Sequence, residues 1–554
     1  MKTQIFMNHI GFLPQGEKHF VIKHPRSMEF TVINRWGNRI VFNGRLKAYY
    51  GGDLDEAFVG DFSNVTEEGT YLIKCADTVS RIIVIHKKPY EMAMRTIYNY
   101  YPTQRCGDSS TGWNSPCHLK PAQDINTGEM KDMSGGWHQS CDTRKWMYGT
   151  TVGLMALPEL GRYKPLKKWE NGKVAEEIKW GNRYFHKMVR KDGGLMDFIS
   201  IPNDWDDHIT RQLNSDDASF MTTFTMISGQ CNAAIYFKEE DPQYAAQCLD
   251  YALKLWAYAN SSKMKDEYNV RAFKYHEYLP YLYRKSRRDT SCYYGDKLFA
   301  AMMLYKATGS KSFLEEASAT ADSYCSLQVG GNVEENIAAA CFWLDDKKAE
   351  LSTAFAVGSW GPIGLCMLVE ELQSGDNRNV WLNTIRNIAR QLTLCSEKNP
   401  WGLIPCYWFM DDKDGGRKGG SLYYKYFLYE IKTVVGINYD LLHRALFLLK
   451  SAKYTGFEDK CREVAFRQVD WVLGCNPLDA SFCEGVGYNQ QQTLINGDEF
   501  IPPVPQITGA VQLGMGCVPG TDTPNIDLDT VTCEYDMPCT SLLMWTIKEM
   551  LECE

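Results

Sequence analysis

Residues 106 to 142, CGDSSTGWNSPCHLKPAQDINTGEMKDMSGGWHQSCD, gather three cysteines, two histidines and several carboxylates around an SGGWH core. Cys106, Cys117, His118 and His138 are spaced C-x10-C-H-x19-H. Two thiolates and two imidazoles are the ligand set of a closed tetrahedral zinc site, which would pin a loop that has little core of its own. A Cys106 to Cys117 disulfide with two incidental histidines, or four unrelated residues, are the alternatives that the spacing leaves open. Asp142 follows at once. Read alone, it is a helix N-cap before TRKWMYG, just as Glu534 reads alone as a first-turn acid of the C-terminal helix.

The elements that must position these residues change character once, near residue 88. Before it, FVIKH, EFTVINRWGNRIVFNGRL, EEGTYLIKC and SRIIVIH are short β-branched runs between Gly, Asn and Asp turns, the pattern of a small antiparallel sandwich. After it, apolar residues recur at three and four residue spacing near 89–101, 143–158, 170–190, 219–238, 241–260, 292–308, 311–328, 351–373, 378–396, 430–453, 457–474 and 538–552. About a dozen helices in the remaining chain predict an all-α toroid of hairpins, with YKATGSKSFLEEA turning on Gly309. Long aromatic-rich loops separate them at 104–141, 191–218, 398–428 and 476–536, and loops of that length in a compact domain carry function.

Composition narrows the classes. The 554 residues are 44% hydrophobic and 23% charged, enough apolar material for two or more cores. A net charge of −8 with no Lys/Arg block excludes a nucleic-acid partner. No run reaches the roughly 20 apolar residues of a membrane span, and MKTQIFMNHIGF lacks the apolar core of an export signal. Nineteen cysteines, an odd number with many in helical text such as Cys341 and Cys366, favour a reducing compartment. The expected location is therefore cytoplasmic; a trimmed leader would instead make the protein periplasmic or secreted.

Several motifs in one order resemble glycoside hydrolase family 9. RCG with CH and then SGGWHQSCDTRKW is similar to the family's zinc loop running into S-G-G-W-H-D-A-G-D. VDWVLGCNPLDASFCEGVG is similar to its L-G-x-N-P-x-x-x-S-Y-x-x-G-x-G segment, and PPVPQITGAVQLGMG to the Gly-rich stretch after it. DTVTCEYDMPCTSLL occupies the place of N-E-V-A-x-x-Y-N-A. The resemblance covers nearly the whole chain. It implies an N-terminal immunoglobulin-like domain, about residues 1–87, and an (α/α)6-barrel catalytic domain, 88–554. It implies inverting hydrolysis, with Asp142 as the general base that takes a proton from water and Glu534 as the acid that protonates the leaving oxygen. Inversion needs one carboxylate ionised and one protonated, roughly 6.5–9.5 Å apart, with water between them and the sugar.

Two departures modify that reading. Gln139 stands where the family has the first aspartate of D-A-G-D, and an amide can bond water but brings no negative charge. Where cellulose-cleaving relatives carry His-His-Arg, this chain has GYNQQQTLING. The expected substrate is therefore a β-linked glucan-type or amino-sugar oligosaccharide with specificity diverged from cellulases. The alternative is a carbohydrate-binding or regulatory protein with weak or lost hydrolysis; a lyase would need a Tyr or His base near a uronate-binding Arg, and no such cluster is seen. Trp137, Trp408, Tyr488 and Trp205, with Trp360 and Trp401 behind them, are candidate stacking platforms for sugar faces. Trp137 and Trp408 stand first because each lies beside motif text. A structural zinc is the expected metal; Asp204, Asp206 and Asp207 offer oxygen ligands for calcium but no recognisable loop, so a solvated acidic turn fits them better.

Overall fold

The computed structural model describes residues 2–50, 53–54, 56–108, 110, 117–141, 144–166, 172–200, 211–264, 289–352, 359–411, 415–427, 436–491, 494–495, 499–500, 507–518, 521–526 and 530–554. Asp142, Trp205, Asp204, Asp206 and Asp207 lie outside them.

The N-terminal part is a sandwich of two antiparallel sheets. One has the order β1 (Gln4–Phe6), β2 (His19–Lys23), β6 (Ala57–Asp61), β5 (Lys47–Tyr49). The other runs β4 (Arg39–Arg45), β3 (Glu29–Asn34), β7 (Gly69–Cys75), with β8 (Thr78–Val79) and β9 (Ile83–Ile85) both paired to β7. Alternation sends Phe30 and Val32 of β3 and Tyr71 and Ile73 of β7 inward, where they meet Phe20 and Ile22 of β2. Phe20 and Phe30 pack edge to face at 5.0 Å. The run HFVI is buried on both faces because Val21, with Phe6, Tyr49 and Val59, joins the core of the helical domain. Full burial of such a side chain contributes about 1.5–3 kcal/mol, so this face of the sandwich is held to the barrel by apolar packing while the sandwich keeps its own core.

Helices begin at Lys88. Twelve are long among the described residues: α1 (Lys88–Tyr98), α2 (Met147–Arg162), α3 (Lys173–Phe185), α4 (Phe220–Phe237), α5 (Pro242–Ala259), α6 (Thr290–Thr308), α7 (Lys311–Ser326), α8 (Gly361–Glu371), α9 (Arg378–Ser396), α10 (Asn438–Thr455), α11 (Glu458–Val472) and α12 (Met537–Glu552). The even-numbered helices pack neighbour to neighbour in an inner ring, α2 to α4 to α6 to α8 to α10 to α12 and back to α2, and the odd-numbered ones lie outside. Inner helices such as α4 are buried almost all round, which is why they are apolar on every face. Side-chain caps fix several starts: Ser219 for α4, Asp241 for α5 and Asp289 for α6 accept from the backbone N–H of Thr222, Tyr244 and Cys292, in the first turn of each helix. Gly309, at φ 71°, ends α6 in the left-handed conformation.

Three helices start later than the periodicity predicts. α2 begins at Met147 because Lys145–Trp146 (β12) pairs with Met196–Ser200 (β13). α8 begins at Gly361, its Pro362 supplying no N–H where none is needed, while Leu351 bridges Trp343. α10 begins at Asn438. The expected loops 104–141 and 191–218 also carry strands. With β10 (Ala122–Asp124), β11 (Met130–Lys131) and β14 (Gln212–Asp217), the order β11-β10-β14-β13-β12 makes a five-stranded sheet over the N-terminal end of α2.

Candidate active site and metal centre

The segment 104–108 runs antiparallel to 135–138. Cys106 N donates to Gly136 O at 2.9 Å and His138 N to Gln104 O at 2.8 Å, which sets Cys106 and His138 side by side. Cys117 and His118 come in from the other limb, His118 at φ 57°. His138 Nε2, His118 Nδ1 and Cys117 Sγ lie 3.1–3.3 Å from one another, and all four ligand atoms, Cys106 Sγ included, lie within 4.8 Å. The edges of a zinc tetrahedron with bonds of about 2.0–2.3 Å are roughly 3.3–3.8 Å, so the donor set fits such an ion. All four residues are buried and neither cysteine is in a disulfide. Burial opposes charge on Cys106, but a hydrogen bond from Cys117, the nearby Lys145 cation and His138 outweigh it and hold the Cys106 thiol well below its ordinary value. Cys117, which donates to that thiolate, is pushed up.

The turn after His138 leads toward the C-terminal helix. Gln139 N donates to Arg144 O at 2.9 Å. Gln139 O accepts from Tyr100 Oη at 2.7 Å and from Met537 N at 3.1 Å, and Gln139 Nε2 donates to Asp536 Oδ1 at 3.0 Å. Gly149 in the first turn of α2 has no side chain because the Gln139 amide occupies the space: a Cβ there would sit 2.2 Å from Gln139 Cδ. Gln139 Oε1 is buried with no hydrogen-bond partner among the described residues.

Glu534 enters from the opposite end of the sequence. Leu513 N donates to Glu534 O at 2.8 Å and Asp536 N to Val511 O at 3.0 Å, so the Gly-rich stretch 507–516 splints residues 534–536. The half-buried Glu534 carboxylate has Cys141 Sγ 3.8 Å from Oε1. Cys141 is the residue before Asp142, so the two motif segments, 393 positions apart, converge here. The register of the second segment corrects one match. In N-E-V-A-x-x-Y-N-A the glutamate stands five residues before the tyrosine; counted back from Tyr535, with Val531 in the place of V, that position is Thr530. Glu534 stands one helical turn further on, beyond the short helix Thr530–Cys533.

Four candidate platforms are not available to a sugar. Trp137 is 0% exposed: it packs against Tyr101 and Phe185, and its indole N–H donates to Glu177 Oε1 at 2.7 Å. Trp360 and Trp401 are likewise core residues, stacked with Phe299 and Trp545 and set edge-on to Phe6 and Trp471 respectively. Tyr488, although 40% exposed, carries the His9 ring at 3.7 Å and the Arg81 guanidinium at 3.8 Å, which fills both faces. It fastens the sandwich to the barrel. Trp408 is 9% exposed, packed on Tyr424 and against Gly419, beside a cavity of about 150 Å³ that His443, Arg444 and Gln391 also line. Little of its ring is presented.

Sequence reasoning did not single out Glu177, Asp536 or Lys145. Glu177 and Lys145 are fully buried charges in amphipathic text, and only the fold reveals what they hold.

The family model for Glycosyl hydrolase family 9 matches residues 90–496, and that for the Cellulase N-terminal ig-like domain matches residues 1–80. A cellodextrinase of Butyrivibrio fibrisolvens is 23% identical over 523 residues, 87% of this chain and 85% of the relative. Endoglucanase D of Acetivibrio thermocellus is 27% identical over 351 residues, 57% of this chain and 53% of that longer protein. Among solved structures, a metagenome-derived glycoside hydrolase family 9 endoglucanase superposes with a TM-score of 0.71 at 17% identity, over 99% of both chains. AaCel9A, solved in complex with cellobiose-like isofagomine, superposes at 0.70 and 19% identity, over 99% of this chain and 100% of its own. Sandwich, twelve-helix ring and the meeting of the SGGWH turn with the C-terminal motif thus agree with a match spanning most of the sequence, and the chain belongs to glycoside hydrolase family 9.

Proposed function

We propose that the protein hydrolyses β-linked gluco-oligosaccharides with inversion, Glu534 acting as general acid, Asp142 as general base and Gln139 bonding the attacking water through Oε1. The approach of Cys141, the neighbour of Asp142, to the Glu534 carboxylate carries this reading. The cellodextrinase that aligns over most of the chain supports the choice of short β-glucans. The GYNQQQ stretch and Gln139 support a sugar grip and water activation that differ from those of cellulose-cleaving relatives. Zinc is the metal that suits two thiolates and two imidazoles; Cys106, Cys117, His118 and His138 would hold it, and it would supply no reaction chemistry, only a fixed loop.

A panel of cellodextrins and chito-oligosaccharides, followed by proton NMR of the first-formed product, tests this. Cleavage of the glucans with the α-anomer appearing first is expected; a β-anomer appearing first excludes inversion. A second reading is favoured by the two motif positions that lack their carboxylates, Gln139 and Thr530: a cleft that binds sugar without turnover. It requires that cellodextrins bind and remain intact, and that Gln139→Asp with Thr530→Glu creates cleavage.

A further inference from the structure

The metal ligands are held through their backbones. The outward ring nitrogens, His118 Nε2 and His138 Nδ1, are buried with no hydrogen-bond partner among the described residues, so no outer hydrogen bond there orients the rings. One face of α3 does the orienting instead. Glu177, Trp180, Gly181 and Tyr184 recur at i, i+3, i+4 and i+7, one stripe of the helix. The Glu177 carboxylate, 0% exposed, accepts from Arg105 Nη2 at 2.7 Å and Nε at 3.1 Å, and from Trp137 Nε1 at 2.7 Å. Arg105 immediately precedes Cys106, and Trp137 immediately precedes His138. Trp180 Nε1 donates to Gly136 O at 2.9 Å and carries the Arg105 guanidinium over its ring at 4.6 Å. Gly181 leaves room for the Trp137 ring, and Tyr184 Oη donates to Lys145 O at 2.9 Å, just before α2.

We propose that Glu177 is the positioning residue of the metal centre: through Arg105 and Trp137 it sets Cys106 and His138 at ligand spacing and so fixes the backbone that runs from His138 into Gln139. This rests on the metal reading above. A buried carboxylate bonded to one ligand-bearing segment would be an ordinary core ion pair. Here the same carboxylate bridges both, and the antiparallel bridge between Arg105 and Trp137 makes the two donors move as one unit. Outer groups that hold metal ligands typically change affinity by about 10- to 100-fold when altered.

The test uses the full chain loaded with zinc, titrated against a chromogenic chelator. Glu177→Gln keeps an acceptor for Trp137 but removes the charge that grips Arg105. It should raise the zinc Kd by about 10- to 100-fold and lower kcat with little change in KM. Arg105→Lys, which keeps the charge and loses the planar fork, should weaken zinc in the same direction and serves if Glu177→Gln does not fold. Gly309→Ala, remote from the site, should lower Tm and leave zinc affinity unchanged. Zinc held within twofold of wild type by either clamp variant overturns the proposal, as does equal weakening in Gly309→Ala. A wild-type chain that takes up no zinc overturns the metal reading itself, a distinguishable result.

Discussion

Whether Glu534 supplies the proton to the leaving oxygen can be measured. With Glu534 as the acid, Glu534→Gln lowers turnover of unactivated oligosaccharides by at least about a hundredfold, the scale of general acid catalysis. Aryl glycosides with good leaving groups need less protonation and lose less; equal losses on both would give Glu534 a structural role only. At Gln139, an aspartate could share charge with the attacking water, so Gln139→Asp raises hydrolysis at pH 7 if the missing carboxylate limits the rate. The opposing effect is repulsion from Asp536, whose Oδ1 now accepts from the amide and would face a like charge. A fall in rate, beside clear wild-type cleavage, would mark Gln139 as fitted to its own substrate. The Cys106, Cys117, His118 and His138 cluster was legible in sequence because residue types and spacing pointed to it directly. Trp137 was misread for the converse reason: SGGWH text is equally compatible with an indole facing a sugar and one facing Glu177, and only burial decides.

Helices were legible wherever an apolar stripe continued, and their starts were misplaced where the stripe ran on into a strand or a bridge, as before Met147 and Gly361. The small sheet β11-β10-β14-β13-β12 escaped because AQD and QLNSDD are short, polar and paired across 90 residues, leaving no local period to read. α3 shows what element-level packing demands. A Cβ on Gly181 would meet the Trp137 ring at 2.2 Å, whereas one on Gly309 meets nothing within 4 Å and is strained only by φ. Gly309→Ala should therefore cost about 1 kcal/mol, and Gly181→Ala up to about 3 kcal/mol or more, since it displaces a buried indole. Chemical denaturation of the two variants checks the order; equal losses would show that Trp137 yields easily.

At the scale of the molecule, sandwich and barrel are joined by apolar and polar contacts together. Asn8 Nδ2 donates to Asp470 Oδ1 at 2.7 Å, Tyr424 and Tyr426 donate to Asp53 at 2.9 and 3.0 Å, and the shared core includes Phe6 and Val21. One cooperative heat-absorption peak is expected for the whole chain; two resolved peaks would separate the domains. Burial lifts Asp440 and Asp470 from 3.8 to about 7, against the opposing pull of Arg444 on one and of Asn8 and Arg467 on the other. Their protonated forms belong to the folded state. The stability they add is complete below about pH 4 and is lost as pH rises toward 7, on the order of 4 kcal/mol for each group. Tm should fall over that interval more steeply in wild type than in Asp440→Asn; parallel curves would remove Asp440 from the account.

The ring closes where α12 meets α2; Glu534 immediately precedes α12, and Asp142 precedes α2 in the sequence. Time enters through that placement. Chain contacts separated by about four hundred residues form late, so a refolding chain can acquire its helices and most of its interior while still having no place for a sugar to react. Helical signal should return first and hydrolysis only with the final phase, and a chain that stalls one helix short of closure is, to its substrate, not yet an enzyme.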